Sequence, residues 1–424
     1  MALPALSRNL NTTTTGLQWI VDSYSLVFAA LLLSAGALSD RRGAKSVFIY
    51  GIGLFTVSSL ACSLARSTGP LILARCTQGV GAALSVPASL SLLQTNYADQ
   101  ATRARAFGIW GGVAGIAAGA GPVVGGALVT NFGWQSVFLL NVPIGILGIG
   151  FANHFLPSSS HQSKDLDIAG QVTSIICLAG ITTALIESGP LGWASPVVIV
   201  GWAIFLSAGG AFLAIESRVR LPILPLWLFS SIQFSAVTVI GLLLNLAFYG
   251  ELFVMSLYFQ QLRGLTPVQA GLALLPQMAM AVIGSTLSGL VMARTGPKLP
   301  MLIGLTLGGL GLLGLAAASP NTAYIILILP LIAIGFGMSF TMPAATAAVM
   351  QVAPIKHGGV SSGILNTARQ VGSVIGVALL GSFLASSHSD FMRGFHFGIL
   401  IAGCAFLLGG ALVSVLVPPT IQKS

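Results

Sequence analysis

Apolar positions in this chain come in long, nearly unbroken runs, separated by short polar turns. Thirteen runs reach membrane-spanning length: 16–39, 47–65, 69–95, 107–130, 134–156, 167–189, 196–216, 232–260, 268–293, 299–318, 322–350, 358–385 and 394–416. A hydrocarbon core of roughly 30 Å is crossed by about 20 apolar residues in a helix. Only helices and closed barrels satisfy every backbone group in lipid. A barrel would show alternating segments of about ten residues, whereas these runs are apolar on all sides. The pattern predicts an all-α polytopic membrane protein of about thirteen spans.

The turns carry the charge. In "SAGALSDRRGAKSV" (34–47), Asp40, Arg41, Arg42 and Lys45 crowd around Gly43. Alternate turns on that side hold twelve Lys and Arg, against four on the other side. Cytoplasmic loops retain Lys and Arg, so the 40–46 turn and the C-terminus are expected inside and the N-terminus outside. "MALPALSRNLNTTTTGLQW" reads as the tail of a helix followed by an external loop, and one further span is expected ahead of Met1. The alternative is a true N-out chain of thirteen spans.

The chain also repeats itself. At an offset of 256 residues, "LILARCTQGVGAALSVPAS" (71–89) lies over "LILPLIAIGFGMSFTMPAA" (327–345), with Leu71, Ile72, Leu73, Gly79, Gly81 and Pro87 meeting identical residues. At an offset of 253, "GALSDRRGAK" (36–45) meets "GLVMARTGPK" (289–298), with Ala293 in place of Asp40. Parallel duplication with a site at the repeat interface is a transporter design. It predicts an N-terminal bundle over 1–156 with five complete spans, two intervening helices within 157–229, and a six-helix bundle over 230–424.

Composition agrees. Of 424 residues 55% are hydrophobic and 6% charged, with mean hydropathy +0.94, where a soluble domain carries about a quarter charged residues. The formal charge of +9 is scattered, so no basic face for nucleic acid is expected. Cys62, Cys76, Cys177 and Cys404 lie in apolar runs and suggest neither disulfides nor a metal site. Met1 to Ser7 is too short for a signal peptide. "GLGLLG" (309–314) matches a dinucleotide pattern, but no strand precedes it. No P-loop is present and the histidines are dispersed, so no cofactor or metal is expected.

Within the spans, Arg75 lies about two turns into the run 69–95, where a charge is costly and by default functional; the bland reading is an arginine that snorkels near the cytoplasmic face. Asp22 and Glu251 are the acidic residues placed deepest, and Glu187 and Glu216 sit at span ends. A buried carboxyl that takes and loses a proton could also attract a cationic drug, which makes Asp22 and then Glu251 the proton-coupling candidates. Gln78, Asn245, Gln277, Asn366, Arg369 and Gln370 either face a cavity or bond between helices. Trp19, Trp134, Trp193 and Trp227 read as interfacial anchors. Gly111, Gly115 and Gly119 share one helix face suited to close packing, and Pro122 can bend that span.

These segments in order resemble the major facilitator superfamily, in particular its fourteen-span drug:proton antiporters. "GALSDRRGAK" resembles the superfamily's loop motif, "LILARCTQGVGAA" its motif with an arginine in the fourth span, and "GIAAGAGPVVGG" (115–126) its fifth-span antiporter motif. "LQWIVDSYSLVFAALLLSAGALSDRRG", "LYFQQLRGLTPVQAGLALLP" and "LNTARQVGSVIGVALLG" are also similar to this subfamily, while the opening "ALPALSRNL" matches only the end of its first span. The resemblance implies two pseudo-symmetric bundles plus two intervening helices, and a cytoplasmic gating motif of Gly36, Asp40, Arg41, Gly43, Lys45 and Arg103. In that motif Asp40 would latch the outward-facing state, with Arg103 or Arg105 as partner. It further implies coupling through Arg75 and an antiporter motif of Gly115, Gly119, Gly121, Pro122, Gly125 and Gly126 that seals against proton leak. The expected function is proton-gradient-driven export of hydrophobic or cationic compounds by a monomer in a bacterial inner membrane. Export of one metabolite or siderophore is the alternative. A channel or a membrane enzyme fits less well, since clustered catalytic groups are absent and the halves are pseudo-symmetric.

Overall fold

A computed structural model describes residues 1–96, 100–156, 167–219, 222–352, 358–386 and 390–418. Those residues form sixteen α-helices and no strand. The first half contains α1 (Leu3–Leu10), α2 (Thr14–Arg42), α3 (Ala44–Leu64), α4 (Thr68–Asn96), α5 (Gln100–Phe132), α6 (Gln135–Leu139) and α7 (Asn141–Phe155). Next come α8 (Ile168–Leu191) and α9 (Pro196–Glu216). The second half contains α10 (Ile232–Leu257), α11 (Pro267–Ala273), α12 (Leu275–Thr295), α13 (Lys298–Leu315), α14 (Tyr324–Val352), α15 (Gly358–Ser386) and α16 (Phe391–Leu416). Twelve segments of the described residues are long and apolar enough to cross a bilayer, and α5 occupies the remaining run of the sequence reading. Two runs are broken: 134–156 divides into α6 and α7, and 268–293 into α11 and α12, with Pro276 opening α12.

The repeat is built into the coordinates. Helices α4 and α14 each have 29 residues and stand at the 256-residue offset of the sequence repeat, each with a proline inside, Pro87 and Pro343. Their paired glycines do the same work. A Cβ on Gly79 would lie 2.7 Å from the Tyr24 carbonyl oxygen of α2, and one on Gly335 would overlap the Gln277 carbonyl of α12. Gly81 abuts the backbone of α3 at Gly51 and Phe55, as Gly337 abuts α13 at Gly304 and Gly308. Small residues thus let backbones approach at equivalent places in both halves.

The charged turn is compact. Gly43 alone separates α2 from α3, with φ +85°, and Gly296 holds φ +74° between α12 and α13; both positions suit glycine. Lys45 donates to the carbonyls of Asn153 (3.1 Å) and Leu156 at the end of α7. Lys298 donates to the Ser414 carbonyl at the end of α16 at 2.8 Å. Each half therefore ties its charged turn to the carbonyl end of its last helix, where the helix dipole favours a cation.

The halves meet along two seams. Gln18 of α2 donates to the carbonyls of Val377 (3.3 Å) and Ala378 (2.8 Å) on α15, and α5 packs on α11 and α12. Helix α8 lies against α2 and α15, with α9 outside it. Gln171 of α8 donates to the Ala30 carbonyl at 2.8 Å and accepts from Ser34. Apolar side chains such as Ile146, Leu147 and Phe151 on α7, and Val200 and Leu206 on α9, are exposed, as a lipid-facing surface requires.

Candidate functional site

Four helices that meet in pairs, α4 on α2, α2 on α15 and α15 on α10, carry most of the membrane-embedded charge. On α2, Asp22 is fully buried one turn beyond Gln18, and neither carboxyl oxygen has a hydrogen-bond partner. Thr182 of the neighbouring α8 is also fully buried with its hydroxyl unpartnered. On α10, Glu251 is fully buried and accepts from Gln277 Nε2 of α12 at 2.8 Å, leaving Oε1 unpartnered. A charged carboxylate is costly to bury with so few partners.

Arg75 does not snorkel. It turns towards α2, where Nε donates to the Ile20 carbonyl at 3.1 Å, while Nη1 donates to Gln78 Oε1 of its own helix at 2.6 Å. Its guanidinium carbon stands 4.2 Å from the Tyr24 ring centroid, a cation–π distance. Gln78 passes the connection on, donating to Ser59 Oγ at 2.7 Å. In the second half, Arg369 of α15 donates to Asn366 Oδ1 at 3.1 Å and to Met342 Sδ at 3.0 Å, with Nε unpartnered. Gln78, Gln277 and Asn245 are buried. Gln78 and Gln277 serve bonds between helices, while Asn245 donates to the Gly241 carbonyl of its own helix.

The antiporter-like stretch forms the second seam. A Cβ on Gly126 would come within 2.5 Å of the Pro267 carbonyl oxygen, and one on Gly271 of α11 would overlap the Pro122 carbonyl. Gly119 makes ordinary contact, 3.9 Å from the Met278 carbonyl, while Gly121 and Gly125 face open space. The tight approach therefore falls at the Pro122–Gly126 end. The surroundings of Gly111 and Gly115 lie outside the described residues.

Of the residues expected to form a gating motif, Gly43 and Lys45 make the contacts given above, and Arg41 and Arg42 are exposed at the end of α2. Gly36 makes only ordinary contact, 3.9 Å from Pro87 Cβ. The side chains of Asp40, Arg103 and Arg105 lie outside the described residues, as does His388.

One expectation is corrected. Trp134 is no interfacial anchor: it is 2% exposed, with its ring edge-on to Phe138 at 6.1 Å. Glu216, the last residue of α9, is 3% exposed and accepts from the Leu224 amide at 2.9 Å. Trp19, partly buried, donates to Glu187 of α8 at 2.9 Å. "GLGLLG" lies inside α13, its glycines packed on α14 and α16.

A family model described as Major Facilitator Superfamily matches residues 1–377. The chain belongs to that superfamily. It is 37% identical over 405 residues to the methylenomycin A resistance protein of Streptomyces coelicolor, covering 96% of this chain and 85% of that protein. It is 36% identical to the protein of the same name in Bacillus subtilis, covering 97% and 89%. With the multidrug resistance protein Stp of Mycobacterium tuberculosis it shares 35% identity, covering 91% and 72%. In fold it is similar to an auto-inhibited POT family peptide transporter, with TM-score 0.71 at 16% identity, covering 100% of this chain and 94% of that one. The nucleoside transporter NupG gives 0.65 at 13% identity, covering 98% and 93%. The chain is thus a membrane transporter with the major facilitator fold.

Proposed function

We propose that this transporter exports drug-like hydrophobic compounds from a bacterial cell, driven by the proton gradient and working by alternating access. The observation that carries the reading is the pair of fully buried carboxyls, Asp22 without a hydrogen-bond partner and Glu251 with Gln277 as its partner. Proton exchange at these groups as access alternates would couple the gradient to export. Relatives named for antibiotic resistance support the direction and the kind of cargo.

In this reading the bundles 1–156 and 230–424 rock about the α2/α15 and α5/α11 seams, and the helices within 157–229 travel beside them. The turns at Gly43 and Gly296 face the cytoplasm, as does the C-terminus, and the Gly126–Pro267 contact closes the outer side. No cofactor is needed, and the unit is a monomer.

The test is accumulation of N-phenyl-1-naphthylamine, neutral at working pH, in cells with and without the chain. Lower accumulation that a protonophore abolishes supports the reading. Equal accumulation in both, or export that survives the protonophore, contradicts it.

A further inference from the structure

Cationic cargo would need an ionised carboxylate facing the pathway, yet Asp22 and Glu251 are both fully buried. Among the described side chains of α2, α4, α10 and α15, the charges that are only partly buried are Arg75 and Arg369, while the partly buried Glu187 of α8 is held by Trp19. We infer that Arg75 and Arg369, with Tyr24 and Tyr249 between them, form a binding site for aromatic organic anions at the junction of the two halves. The inference rests on the export reading above and narrows its substrate class.

The geometry is a chain of alternating cations and rings. Arg75 stands over Tyr24 at 4.2 Å and near Phe138 at 6.0 Å. Tyr249 of α10 lies within electrostatic reach both of Tyr24 on α2 and of Arg369 on α15, so the chain crosses from one half to the other. Phe248 sets its ring edge-on to Tyr249 at 5.5 Å. Tyr249 is 42% exposed, leaving its face open to a ligand.

Among the described residues neither guanidinium has a carboxylate partner. The electrostatic neighbours of Arg75 are Tyr24, Cys62 and Cys76, and that of Arg369 is Tyr249; no carboxylate is among them. The partners they do have, a carbonyl, two side-chain amides and a thioether, are all uncharged. Two uncompensated cations in a low-dielectric setting favour an anion strongly. Guanidinium pairs well with carboxylate or sulfonate oxygens through its fork of N–H donors. The rings supply the apolar, stacking part of the ligand surface. A cation entering the same space would meet two like charges.

The experiment uses two probes of one shape and fixed opposite charge, pyrene-1-sulfonate and (pyren-1-yl)trimethylammonium. Each is titrated onto the purified full chain in lipid nanodiscs. Binding is read by tryptophan-to-pyrene energy transfer, with protein-free nanodiscs as the blank. The sulfonate should bind at least about tenfold more tightly than the ammonium probe. Arg369→Gln should weaken sulfonate binding about tenfold or more and leave ammonium binding no weaker, while Arg369→Lys retains most sulfonate affinity. Arg75→Gln should act in the same direction. Tighter binding of the ammonium probe, binding of neither probe, or unchanged sulfonate binding in a monodisperse Arg369→Gln protein overturns the inference. No gradient is present, so failure here leaves the proton-coupling test standing, and failure of coupling leaves this one standing.

Discussion

Gln277 donates its side-chain amide to Glu251 Oε2 at 2.8 Å, and this is the one hydrogen bond that carboxyl accepts. Gln277→Leu removes it and leaves both oxygens of a fully buried carboxyl unpartnered. A lost partner of this kind costs about 1–3 kcal/mol, which a fluorescence-detected thermal unfolding curve resolves. Glu251→Gln keeps an acceptor for Gln277 and should melt close to the parent while losing gradient-driven transport. A Glu251→Gln protein that transports normally would remove Glu251 from the coupling scheme.

The α5/α11 seam makes a contrast between neighbouring glycines. Gly126 meets the Pro267 carbonyl, whereas Gly121 and Gly125 have nothing within 4 Å. Gly126→Ala should therefore destabilise by about 1–3 kcal/mol through overpacking, and Gly121→Ala should change little. Equal melting of the two variants would show that the close approach is not maintained in the membrane.

At the charged turn, Gly43→Ala places a side chain at φ +85° and should cost about 1 kcal/mol or more. Lys45→Ala and Lys298→Ala each remove a cation from a helix carbonyl end, with an expected loss of about 0.3–1 kcal/mol apiece. They act in separate halves, so the double variant should show the sum. A double variant far from additive would mean that the two turns communicate.

These comparisons also show what was legible in the sequence. The repeat offsets, Gly43 with Lys45, and Gly126 after Pro122 are local patterns, and they reappear in the structure as a shared helix register, a left-handed turn and a close backbone approach. What escaped depends on neighbours from distant segments. Trp134 looks like an anchor at a span end until α6 folds its ring against Phe138. Glu216 reads only as a residue at a span end until the following turn brings the Leu224 amide back onto it. The stretch "GLTPVQAG" belongs to a segment similar to the subfamily and signals a helix start at Thr266, but nothing local in it says that it packs on the antiporter-like stretch. The sequence offered Arg75 and Arg369 as separate embedded charges. Only the meeting of α2, α4, α10 and α15 puts Tyr24 and Tyr249 between them.

The most direct measurement is gradient-driven accumulation of N-phenyl-1-naphthylamine in everted membrane vesicles, comparing the parent chain with Asp22→Asn at matched expression. Asp22 is fully buried and unpartnered, and Asn is close in shape, so the fold should persist. With proton coupling through Asp22, the parent accumulates the probe only when the vesicle interior is acidic, and Asp22→Asn loses that dependence. Accumulation that ignores the gradient in the parent, or an Asp22→Asn protein that follows it unchanged, would contradict proton coupling at this carboxyl.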